Sequence, residues 1–127
     1  MIEGLDHVLI TAPRGHEGVA RAFFGEFLGL PELKKPAKLA SVSGVWFGLP
    51  DGRSLQTESA EPFTASRRAR VCLRVRDLDV FAEMAETEGH ALEWDGKAEV
   101  RRVFLQDPWG NRMELVEGAH VWQALED

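Results

Sequence analysis

The feature that most narrows what this chain can fold into is an order of elements that occurs twice. His7-Val8-Leu9-Ile10-Thr11 reads as a strand with Val8 and Ile10 on one side, and Arg70-Val71-Cys72-Leu73-Arg74-Val75 reads as another with Val71, Leu73 and Val75 on one side. Each runs into a helix. In the first half Val19, Phe23 and Phe27 recur at helical spacing, flanked by Ala20, Phe24 and Leu28, with Gly29 as a stop and Pro31 beyond it. Gly18 and Gly25 weaken that helix, each by about 1 kcal/mol relative to alanine. In the second half Asp77 is the predicted N-cap, Leu78, Phe81, Ala82 and Ala85 form the apolar stripe, and Gly89 is the stop.

Hairpins follow each helix. Val45-Trp46-Phe47-Gly48-Leu49 leads through Pro50-Asp51-Gly52 into Arg53-Ser54-Leu55-Gln56-Thr57. Val103-Phe104-Leu105-Gln106 leads through Asp107-Pro108-Trp109-Gly110-Asn111 into Arg112-Met113-Glu114-Leu115-Val116. Glycine beside Asp, Asn or Pro supplies the tight turns. A further extended piece is predicted at Leu39–Val42 and at Ala91–Trp94. The chain of 127 residues is then one domain of two βαβββ modules, residues 1–60 and 66–118 in round figures, with a short C-terminal segment. Aligning the turn glycines matches Gly52 with Gly110 and Gln56 with Glu114; aligning the opening strands matches His7 with Arg70.

Parity along the strands separates two faces. Val8, Ile10, Leu55, Val71, Leu73, Val75, Met113 and Leu115 share the apolar parity and are expected to pack on the helices. The other parity carries His7, Thr11, Ser54, Gln56, Glu58, Arg70, Arg74, Arg112 and Glu114. An antiparallel sheet with one wet face gives the same alternation without any function. What marks these positions is that the repeat-matched pairs hold His, Arg, Gln and Glu.

Composition removes several alternatives. An apolar fraction of 44% and a charged fraction of 28% are those of a folded globule. The net charge of −6 argues against nucleic acid or an anionic membrane as partner. The arginine clusters Arg67-Arg68-Ala69-Arg70 and Arg101-Arg102 read as solvated edges. The longest apolar run, about five residues, falls far short of the ~20 that span a bilayer. Met1-Ile2-Glu3-Gly4-Leu5-Asp6-His7 has no basic leader, so a cytoplasmic location is expected. The single cysteine, Cys72, excludes an intrachain disulfide and a cysteine-based zinc cluster, and nothing in the sequence supplies it with a base.

Four segments in the same order resemble the glyoxalase/bleomycin-resistance/dioxygenase group, the vicinal oxygen chelate superfamily. They are Leu5-Asp6-His7-Val8, Ala22-Phe23-Phe24-Gly25-Glu26-Phe27-Leu28-Gly29-Leu30-Pro31, Leu73-Arg74-Val75-Arg76-Asp77-Leu78-Asp79 and Asp107-Pro108-Trp109-Gly110-Asn111-Arg112-Met113-Glu114-Leu115. The resemblance implies an α+β fold in which two βαβββ modules form a half-open cupped barrel, with helices on the outer face, a small molecule bound in the cup, and a homodimer. It also implies a site at His7, Gln56, Arg70 and Glu114, which parity and the repeat alignment select independently. Metal-dependent relatives usually place a histidine where this chain has Arg70. A guanidinium offers donors and no lone pair, so it cannot ligate a cation.

Three functions follow as expectations. In the first, the protein binds a small organic molecule without the usual metal. Arg70 pairs with Glu114 or engages an anionic or carbonyl group of the ligand, and Trp46 contributes a stacking surface, with Phe47, Trp109 and Trp122 as further aromatics. In the second, His7, Gln56 and Glu114 hold a divalent ion (Ni, Zn, Mn, Fe or Co) and Glu114 is the catalytic base of a glyoxalase-type lyase or isomerase. A ring-cleaving dioxygenase would want a second histidine in the site, and His16, His90 and His120 are not expected to converge there. In the third, the protein is a non-catalytic dimeric interaction module that docks through Val121-Trp122-Gln123-Ala124-Leu125.

Overall fold

The computed structural model describes residues 1–96, 100–118 and 121–125. The first module is strand β1 (His7–Ala12), helix α1 (Glu17–Ala20) with a π-helical continuation Arg21–Phe27, and strands β2 (Glu32–Leu33), β3 (Trp46–Gly48) and β4 (Ser54–Ser59). The second is β5 (Val71–Val75), α2 (Leu78–Thr87), β6 (Glu93–Asp95), β7 (Arg102–Gln106) and β8 (Arg112–Glu117). Each makes one four-stranded sheet, ordered β1-β4-β3-β2 and β5-β8-β7-β6. The opening strand lies parallel to the closing one, and the remaining pairs are antiparallel. A parallel pair needs a crossover, which the helix and the two intervening strands supply. Two βαβββ modules are therefore present, as the repeat implied.

The turn glycines matched by sequence adopt the same backbone, φ +90° at Gly52 and +91° at Gly110. Helix α2 starts at its predicted cap, where Asp77 Oδ1 accepts from Val80 N at 3.1 Å, and the predicted stripe Leu78, Phe81, Ala82 and Ala85 is buried. The first helix departs from its prediction. A bond from Leu28 N to Phe23 O, five residues back, widens it into a π turn. Ala20, Phe23, Phe24 and Phe27 face inward, the i, i+3, i+4, i+7 stripe of a helix, and Val19, off that stripe, is 48% exposed. The extended piece expected at Leu39–Val42 is a 3₁₀ turn at Ala37–Leu39, whose amides bond to carbonyls three residues back. The short strand is Glu32–Leu33 instead, paired with β3. The strand expected at Ala91–Trp94 is displaced to Glu93–Asp95.

Leu55, Met113 and Leu115 of the predicted apolar parity are buried; Val8, Ile10, Val71, Leu73 and Val75 are half-buried. The difference follows position: β4 and β8 are inner strands, β1 and β5 are edges.

The chain divides into two compact units. One is Met1–Ser66 with Asp107–Asn111; the other is Arg67–Gln106 with the chain from Arg112 onward. The turn Asp107–Asn111 belongs to the first because Asn111, fully buried, is anchored there. Its Nδ2 donates to Thr11 O at 2.9 Å and its Oδ1 accepts from Ser66 N at 2.8 Å. Asp107 closes the turn, accepting from Trp109 N, Asn111 N and Asn111 Nδ2 at 2.8–3.0 Å. Burial pushes its carboxyl pKa up, and these bonds only partly offset the shift.

Two substitutions test this framework. Asn111→Ala strands several buried partners and is expected to lower stability by about 2–4 kcal/mol. Gly44 has φ +100°, and a Cβ there would lie 1.7 Å from Thr57 O. Gly44→Ala is therefore expected to lose at least about 3 kcal/mol in denaturant unfolding.

Candidate functional site

In the first unit the register puts Leu9, Gln56 and Trp46 in one row across β1, β4 and β3, with His7 and Ser54 in the next. Gln56 is buried and its Nε2 donates to Ser54 Oγ at 3.2 Å. His7 lies at the start of the edge strand, and its Nδ1 is 2.9 Å from Oδ1 of the neighbouring Asp6. Trp46 is half-buried opposite Gln56. His7, Gln56 and Trp46 thus share one face, as parity required of His7 and Gln56.

The other predicted aromatics serve different ends. Phe47 is fully buried on the opposite face against Phe24, 5.5 Å between ring centroids. Trp109 packs edge-on to His16 at 5.4 Å and beside Phe24 at 6.4 Å. Trp122 is 80% exposed. His16 is a buried peg: Nδ1 donates to Pro13 O at 2.9 Å and Nε2 meets Thr57 Oγ1 at 2.8 Å. Because a carbonyl only accepts, Nδ1 carries a hydrogen, and the Thr57 hydroxyl lies within reach of both His16 Nε2 and Val45 O, the latter at 3.2 Å. Thr57 Oγ1 in turn accepts from Val45 N at 2.9 Å, which ties β4 to the start of β3. His90 follows α2, its amide bonded to Ala85 O at 2.9 Å. His120 lies outside the described residues.

The second unit joins the other two predicted residues directly. Glu114 lies on the inner strand β8, opposite Cys72 on β5 and Phe104 on β7. Its Oε1 accepts from Arg70 Nε at 2.9 Å and its Oε2 from Arg102 NH1 at 3.1 Å. Arg102 also grips Asp95, at 2.8 Å from Nε and 2.6 Å from NH2. Beneath these groups lies the ring of Phe104, with the guanidinium carbons of Arg70 and Arg102 each 5.2 Å and that of Arg112 4.1 Å from its centroid. Three cations around one phenyl ring is an arrangement that the quadrupole of the ring favours.

Arg102, Phe104, Asp95 and Glu93 escape a reading based on four strands. The signal was available in β7 and β6. Pairing Phe104 with Glu114 puts Arg102, two residues earlier, on the Glu114 face, so Arg102 is no solvated edge. Arg101 does lie outside the cluster, paired with Asp79 and Glu117.

Burial works to raise the Glu114 pKa, but the hydrogen bonds from Arg70, Arg102 and Cys72 outweigh it and hold the carboxyl below its usual range. The Cys72 thiol moves the other way, pushed up to about 11 by burial and by the Glu114 charge to which it donates. Among the described residues no three His, Cys, Asp or Glu side chains form a metal-binding group.

Comparison with solved structures places this geometry. A glyoxalase family protein from Bacillus anthracis shares 33% identity and a TM-score of 0.89, covering 94% of this chain and 98% of its own. The chain belongs to the glyoxalase family. Further solved structures share the fold at lower identity. Lactoylglutathione lyase from Agrobacterium tumefaciens is 18% identical with a TM-score of 0.71, covering 92% of this chain and 95% of its own. A variant of the fosfomycin resistance protein FosX from Listeria monocytogenes, complexed with Mn(II) and 1S,2S-dihydroxypropylphosphonic acid, is 15% identical with a TM-score of 0.76, covering 94% and 95%. No family model and no curated protein matches the chain.

In this glyoxalase family member Cys72 is exposed, yet its raised pKa leaves little thiolate near neutrality. Glu114→Gln leaves the burial but removes the charge that adds to it in holding the proton on sulfur, so the Cys72 pKa should fall. Alkylation by iodoacetamide at pH 8, followed by mass spectrometry, is expected to be slow in the wild type and several-fold faster in Glu114→Gln.

Proposed function

We propose that this protein binds a small organic molecule and does so without the divalent ion of metal-dependent relatives. The observation that carries the reading is the state of Glu114. Each of its carboxylate oxygens is taken by a guanidinium, Arg70 at 2.9 Å and Arg102 at 3.1 Å. A dication would have to displace both and then sit beside the positive charges gathered on Phe104. Repulsion of that kind reaches several kcal/mol at moderate effective dielectric. The donor set around Glu114 therefore does not fit a divalent ion.

The same geometry argues against Glu114 as a proton shuttle. A carboxylate held as an anion by two guanidiniums is a weak base, whereas a general base works best with a pKa near the working pH. What remains is a polar sheet face with fixed positive groups over an aromatic floor, which suits recognition of an anionic or carbonyl-bearing compound. His7, Gln56 and Trp46 are the candidate ligand contacts of the first unit.

Elemental analysis of the purified protein, alone and after incubation with Ni, Zn, Mn, Fe or Co, tests the reading. Well below one equivalent of metal is expected. Arg70→His replaces a repelling group with a ligand and is expected to raise metal uptake. Stoichiometric metal in the wild type that disappears in Glu114→Ala would overturn the metal-free reading in favour of a lyase or isomerase using His7, Gln56 and Glu114.

A further inference from the structure

The three arginines around Phe104 are not equally committed. Arg102 spends its guanidinium on Asp95 and Glu114. Arg70 spends Nε on Glu114 and NH1 on Arg68 O at 3.0 Å. Arg112 is different. Its ion-pair partner is Glu93, 3.6 Å from NH2 and beyond hydrogen-bond distance, and the Glu93 side chain is 71% exposed. Arg112 Nε is buried and has no hydrogen-bond partner among the described residues. Its guanidinium nonetheless sits nearer the Phe104 ring than either of the others.

A buried N–H without an acceptor is unfavourable, more so on a charged group. Charge makes the same point. Arg70 and Arg102 are balanced by Glu114 and Asp95, and Arg112 is left with one loosely held, solvent-facing carboxylate. Contact with the ring restricts the plane of the guanidinium, and a restricted planar fork is what recognises a carboxylate or phosphonate through two parallel bonds.

We infer that Arg112 is the receptor for the oxyanion of a small organic acid, a carboxylate or a phosphonate, and that Glu93 is a displaceable stand-in for it. The inference rests on the organic-ligand reading above and moves the recognising charge from Arg70 to Arg112. Arg70 and Arg102 then act as positioning residues that hold Glu114 and flank the floor.

Calorimetric titration with benzoate, phenylphosphonate and the uncharged benzamide tests it. One or both anions are expected to bind the wild type and benzamide is not; the tighter anion tells whether the planar or the tetrahedral group fits. Arg112→Gln is expected to weaken binding by about tenfold or more. Arg112→Lys, which keeps the charge and the cover over Phe104, should lose less and guards against a folding defect. Glu93→Gln removes the competitor from an exposed site and should tighten binding by about two- to fivefold. Equal binding by wild type and Arg112→Gln, an unchanged affinity in Glu93→Gln, or no binding of either anion overturns the inference. Loss of binding in Arg70→Gln with Arg112→Gln unaffected overturns it while leaving the organic-ligand reading in place. Stoichiometric metal in the wild type strikes that reading itself.

Discussion

A carboxylate on an inner strand with a tenth of its side chain exposed has to be matched by donors, and Glu114 is matched twice. The arginines that do so come from the two strands that flank β8, one just before β5 and one on β7. The pair of bonds therefore spans three neighbouring chain segments of the sheet. Phe104, opposite Glu114, gives the guanidiniums an aromatic surface to lie on, so their long stems are packed as well as paired. Cys72 completes the ring of groups, its proton held by burial and by the Glu114 charge. The electrostatic character of this face follows from that one residue and its two partners.

The first unit solves an equivalent packing problem without an ion pair between arginine and carboxylate at its centre. Thr57 faces inward on β4, where a hydroxyl is unfavourable unless its bonds are made. His16 and the Val45 amide make them, and Gly44, next to Val45, lets the chain pass within contact distance of the Thr57 carbonyl. The π turn that follows Ala20 carries Phe23, Phe24 and Phe27, and of these Phe24 packs on Phe47 while Phe23 packs on both Phe24 and Phe27.

The element order, both turn glycines, the α2 cap and stripe, and the facing of the strands could all be read from the sequence, because each depends on short-range periodicity or on a backbone angle that few residues adopt. The pairing of Arg70 with Glu114 was legible for a related reason: the repeat fixed their equivalence to His7 and Gln56, and parity fixed their face. What lay out of reach depended on register between strands. Arg102 and Phe104 join the site only once β7 is paired with β8 at a particular offset, and Glu93 and Asp95 only once β6 is placed. The misplacement of Val19 has another origin, since two apolar rows lie side by side on this helix, Val19/Phe23/Phe27 and Ala20/Phe23/Phe24/Phe27, and the second is the one that is buried.

The turn between β7 and β8 has a consequence for the handling of the chain. Its strands are counted with one compact unit and its five residues, Asp107–Asn111, with the other, fastened by Asn111 to Thr11 and Ser66. The halves are duplicates in pattern without being self-sufficient pieces. A gene split after the first repeat would produce one fragment lacking a stretch of its own interior and another carrying a loop with nothing to grip.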